Sequence, residues 1–253
     1  MADELWVNNV NPWGHPVAIY SPKTNAWRQA TTSDLTGLDA QAVKLLQNRH
    51  NSALASNDRW LVIYGGNATS NPSADLYVRD CLNKQWMRYP DQGLGAGKPG
   101  PMWFVQNQLR WSADLGKFIL YAYRRVFTLT PGTWGWQLMP TTGPAPTDGH
   151  DLGAVMLDHL GLMAVFGGSS SDVYLLDLKT WAWSVQKPSI ASAYRKRPAG
   201  LYWAERANNE TRLYQSHGAI DGLGNDDVIK VWRLTIPAPG PAPSPQPPTL
   251  KRE

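Results

Sequence analysis

The chain of 253 residues has one cysteine, four phenylalanines and only 17% charged residues. Cys81 alone excludes an intrachain disulfide and any thiolate metal cluster. Long apolar runs are missing too: Leu160 to Phe166 is strand-length and too short to span a bilayer. The acidic start Met1-Ala2-Asp3-Glu4-Leu5 shows no basic region followed by an apolar stretch, so no secretory signal is visible. A cytoplasmic protein, or part of an intracellularly assembled particle, is the expectation. Charge of one sign is also scarce, since 24 basic and 20 acidic residues leave +4. Only Arg124-Arg125 and Arg195-Lys196-Arg197 cluster, which argues against nucleic acid as a partner.

What is abundant points to strands. Hydrophobic residues reach 42%, enough for a core over most of the length. Thirteen Trp stand beside 22 Gly and 20 Pro, a supply of flat packing surface and turn residues. That composition favours many short strands over a helical bundle, so the expected class is all-β.

Internal repetition organises the chain. Arg59 to Gly66 and Gly161 to Gly168 are each an apolar strand ending in a Gly doublet, Gly65-Gly66 and Gly167-Gly168. Asp-apolar-Tyr follows in both, as Asp75-Leu76-Tyr77 and Asp172-Val173-Tyr174. Nine positions after each Tyr comes a Trp, Trp86 and Trp183. The offset recurs from Phe127 to Trp136, behind an apolar strand that lacks the doublet. A first copy closes on Trp27 without its aromatic partner, and a fifth runs from Leu201 to Trp232 without a closing Trp. The continuous apolar strands read as buried on both faces. The glycines read as sharp turns, and the Trp as mortar between twisted sheets.

These residues resemble the kelch repeat, with two good copies and three degenerate ones across residues 5–236. The resemblance implies a β-propeller of four-stranded blades. Five copies suggest five blades, six being the alternative. The first copy lacks an innermost strand and the last an outermost one, so the termini are expected to share a blade or cover each other's edges. Residues 1–236 form the propeller on this reading. Leu38, Ala42, Leu45 and Leu46 predict a short inter-blade helix near 36–46. Seven of the twelve residues from Pro237 to Pro248 are Pro, so residues 237–253 read as a polyproline-type tail.

Signals for chemistry are sparse. Gly93 to Pro99 lacks the spacing and the hydroxyl of a phosphate-binding loop. No two His fall at a metal-ligand spacing, so neither cofactor nor metal is expected. His50 and His150 open two innermost strands, and Asp148-Gly149-His150-Asp151 is the most enzyme-like cluster. With His217 these are the candidate polar residues for the channel mouth. The recurring Asp75, Asp172 and Asp227 read as turn-forming. Cys81 lies in a hairpin away from the axis, unlike the cross-linked Cys of kelch-like copper oxidases.

The resemblance implies a non-catalytic protein–protein interaction scaffold, a structural or accessory subunit of a larger cellular or viral assembly, with other protein subunits as partners. Two alternatives stay open. A carbohydrate-binding propeller would use spare aromatics among Trp13, Trp103, Trp111, Trp134 and Trp203 on a glycan. An enzyme would bring the channel-mouth residues within hydrogen-bonding reach of one another.

Overall fold

The computed structural model describes residues 5–7, 18–49, 52–66, 72–90, 92, 97–102, 108–147, 152–167, 172–187, 202–207, 210–216 and 229–234. They form five antiparallel sheets in chain order. The first has three strands, β1 (Leu5–Val7), β2 (Ala18–Ser21) and β3 (Ala26–Gln29). The second has four: β4 (Ala53–Ser56), β5 (Trp60–Tyr64), β6 (Leu76–Asp80) and β7 (Gln85–Tyr89). The third runs β8 (Leu109–Ser112), β9 (Lys117–Ala122), β10 (Arg125–Thr130) and β11 (Gly135–Met139). The fourth runs β12 (Leu152–Leu157), β13 (Leu162–Gly167), β14 (Val173–Asp177) and β15 (Trp183–Gln186). The fifth stops at three, β16 (Tyr202–Ala207), β17 (Glu210–Ser216) and β18 (Ile229–Leu234).

Each sheet is a meander of neighbours in sequence. The first strands of the second to fifth sheets approach one another in series, β4 to β8, β8 to β12 and β12 to β16. The second strand of each four-stranded sheet divides its side chains by the period of two. In β5, Leu61 and Ile63 join the cluster shared with the first sheet, while Val62 and Tyr64 join the cluster shared with the third. In β9, Phe118 and Leu120 face back and Ile119 and Tyr121 face forward. In β13, Met163 and Val165 face back and Ala164 and Phe166 face forward. Apolar residues therefore fill consecutive positions because both faces are covered. Four hydrophobic layers result, one between each pair of successive sheets.

The expected helix is present, displaced by a few residues. A 3₁₀ turn covers Thr32–Leu35, and α1 begins only at Ala40 and ends at Gln47. Asp39 caps it, its carboxylate accepting from the Ala42 amide at 2.7 Å. Gly37, at φ +99°, breaks the chain between the two turns. Leu35, Ala42 and Leu46 then bury against the second sheet.

One hairpin is built the same way four times. The residue two before the closing Trp is left-handed in every case: Asn25, Lys84, Trp134 and Trp181, with φ between 49° and 57°. Asp80 and Asp177 end their strands and receive the turn amides, Leu82 and Asn83 in one, Lys179 and Thr180 in the other. The degenerate first copy thus shares the backbone path of the good ones although its aromatic partner is lost.

Candidate functional site

The closing Trp residues sit in matching places, and the residues that receive them match too. Trp86, Trp136 and Trp183 are buried, opposite Arg79, Leu129 and Leu176 in the register. Tyr77, Phe127 and Tyr174 are two pairs further along, so each shares a face with its Trp as a diagonal neighbour. Trp136 meets Tyr64 of the preceding sheet edge-on at 4.8 Å, and Trp183 meets Tyr121 likewise at 5.5 Å. Each of these tyrosines also holds the next linker, Tyr64 Oη donating to the Gly100 carbonyl at 2.6 Å and Tyr121 Oη to that of Pro146 at 2.9 Å. The equivalent residue of the fourth sheet is Phe166, which has the ring but no hydroxyl.

A second joint escapes pattern reading. Thr36-Gly37 and Thr142-Gly143 dock on the outer strand of the following sheet. The Trp86 amide donates to Thr36 O and the Trp183 amide to Thr142 O, both at 2.8 Å. A Cβ on Gly37 or Gly143 falls 2.3 Å from the Trp86 or Trp183 carbonyl oxygen. The only sequence signal is a Thr-Gly pair at two places in long linkers.

The most buried charge lies where β5 ends. Gly65 and Gly66 turn at φ +68° and +82°, and the fully buried Arg49 guanidinium donates to the Gly65 carbonyl. It also donates to Ser73 Oγ at 2.9 Å and to Asp75 Oδ2 at 3.4 Å, and lies 4.8 Å from the Tyr77 ring centroid. Arg88 reaches the same Asp75 oxygen through Nε at 3.1 Å and a terminal nitrogen at 3.0 Å. Asp75 therefore binds two cations across the sheet, more than the turn contact its repetition suggested. Burial pulls Arg49 below the ordinary arginine value, against the attraction of Tyr77 and Asp75, and pushes the Tyr77 phenol above its own. The cluster fastens the glycine turn to strands β6 and β7.

His50, Asp148, His150, Asp151 and His217 lie outside the described residues, as does Gly168. Among the described residues no three His, Cys, Asp or Glu side chains gather as metal ligands, and no helix is long and apolar enough to cross a membrane. Cys81 is a half-buried thiol in the turn after β6. Gly167 ends β13. Of the spare aromatics, Trp134 is buried against Trp60 and Tyr89, and Trp111 is half-buried beside Phe118. Trp13 and Trp103, and the side chain of Trp203, lie outside the described residues, as does the tail.

Trp27 breaks the pattern. It occupies the mortar position of the first sheet, opposite Tyr20, with its ring 5.1 Å from the Tyr20 ring, yet it is 58% exposed. Among the described residues no earlier sheet covers it, and every residue of β3 is exposed. No protein-family model matches the chain.

Proposed function

We propose that this protein is a non-catalytic interaction scaffold of the kelch-like β-propeller type, a structural or accessory subunit of a larger assembly. Five successive sheets among the described residues, with repeated joints, support a propeller-type reading with five blades, six being the alternative, in which the face of the first sheet that carries Trp27 is left uncovered. The interaction reading rests on Trp27. A Trp whose counterparts are 1%, 9% and 4% exposed stands 58% exposed on an open sheet face. Covering it removes apolar area from water, worth about 25 cal/mol per Å². Buried Trp residues are the usual anchors of protein interfaces. The partner is another protein subunit presenting an apolar sheet face, as the preceding sheet does at the other joints.

Size-exclusion chromatography with light scattering, and pull-down of the full chain from its native source, test this. A stoichiometric complex that Trp27→Glu dissolves, with the unfolding transition unchanged, is the expected result. A monomer without stoichiometric partners overturns the reading.

A further inference from the structure

A groove of about 340 Å³ opens where the inner turn of the second sheet (between β4 and β5) meets the turns of the third. Its walls include Asp58, Arg59, Trp60, Trp111, Gly116 and Thr130. Both indoles are half-buried and held in place. Trp60 meets the Trp134 ring at 5.0 Å and 82° and carries the Arg59 guanidinium 4.6 Å from its centroid. Trp111 lies 4.8 Å from Phe118. No hydrogen bond within the described residues uses either indole N–H.

The inner turns of the later sheets lie on this same face. Asp158, in the β12–β13 turn, faces Asp114 and the Ala113 backbone of the β8–β9 turn. His159 Nε2 is 3.0 Å from Thr211 Oγ1, just past the β16–β17 turn. Strand β18 runs antiparallel to β17 and ends with Leu234 opposite Thr211. The chain therefore leaves its last strand on the face where the groove opens.

We propose that the proline-rich tail, Pro237 to Pro248, lies in this groove as a polyproline II ligand of its own chain. Twelve residues in that conformation span about 37 Å at 3.1 Å each. Two sheet spacings separate the fifth sheet from the third, about 20 Å at the usual 10 Å packing distance. Polyproline segments dock on aromatic-lined grooves because little chain entropy is lost and their carbonyls accept from donors such as indole N–H. Asp58, Asp114 and Asp158 place negative charge on this face, and the tail continues into Lys251-Arg252. A sugar fits the groove less well. Asn57 Oδ1 already accepts from the Arg59 and Trp60 amides, and Arg59 pairs with Asp80, so few groups remain for hydroxyls.

The test uses the full chain carrying p-benzoylphenylalanine in place of Ser244. Irradiation of dilute protein followed by mass spectrometry is expected to give intramolecular cross-links to the turns at 57–60, 111–116 or 130–131. Trp111→Ala is expected to lower their yield about tenfold, the weight of one well-packed aromatic contact. Asp58→Arg, at an exposed turn position, repeats the test if Trp111→Ala does not fold, and is expected to lower the yield by repelling Lys251-Arg252. Cross-links elsewhere, cross-links only between molecules, or yields that neither variant changes overturn the proposal. So does a glycan that binds the full chain through Trp111 while the cross-links are absent.

Discussion

Trp183 packs edge-on against Tyr121 of the preceding sheet, and the hydroxyl of that tyrosine holds the Pro146 carbonyl at 2.9 Å. One side chain thus joins two sheets through its ring and fixes their linker through its oxygen. Tyr64 does the same for Trp136 and Gly100.

Tyr121→Phe keeps the ring contact and removes the hydroxyl, leaving a buried carbonyl short of a donor. Urea unfolding is expected to show a loss of about 1–3 kcal/mol. No loss at Tyr121 contradicts the joint.

Truncation separates mortar from open face. Trp183→Ala removes a buried indole and is expected to cost about 3–5 kcal/mol. Trp27→Ala, at the same hairpin position but exposed, is expected to stay within about 0.5 kcal/mol. Parallel thermal and chemical melts of the isolated chain decide it. A large loss at Trp27 means that its face is covered within the monomer.

Lys84 occupies the left-handed position of its hairpin at φ 55° and is exposed. A non-glycine residue there costs about 1–2 kcal/mol, and the extra unfolded-state freedom of glycine offsets about 0.5–1 of it. Lys84→Gly is expected to raise stability by about 0.5 kcal/mol, read as an upward shift of the melting temperature. A lowered melting temperature rules out a strained turn.

Asp34 accepts two hydrogen bonds from Arg28, at 2.7 and 2.9 Å, and others from the Thr31 amide and hydroxyl. Chiefly through Arg28, its carboxyl is held well below the ordinary value of 3.8. Turn amides lower Asp80 and Asp177 in the same direction. A depressed carboxylate stabilises fully above its unfolded value and ceases to as pH falls towards its folded one. Stability is therefore expected to be flat from pH 7 to about 5 and to fall below about 4. Asp34→Asn is expected to lower the plateau and shallow the acid limb in denaturation series at fixed pH. An unchanged acid limb removes Asp34 as a contributor.

The chain order of strands was legible because local physics wrote it. Leu61-Val62-Ile63-Tyr64 is apolar at every position, as two covered faces require, and Trp86 and Trp183 keep a fixed offset because one hairpin fixes it. The helix was legible from Leu38, Ala42, Leu45 and Leu46, but its start was not. Gly37 breaks the chain to let Trp86 approach, a demand from another sheet. The partners of Arg49 were invisible for the same reason, since Gly65, Ser73 and Asp75 reach it only once β5 and β6 have paired. Sequence by itself determined strand, turn and the spacing of the aromatics, because these depend on neighbours a few bonds away. Only the tertiary structure decided that Trp183 is buried and Trp27 exposed. Burial depends on whether a sheet lies in front of the ring, and nothing within the hairpin encodes that.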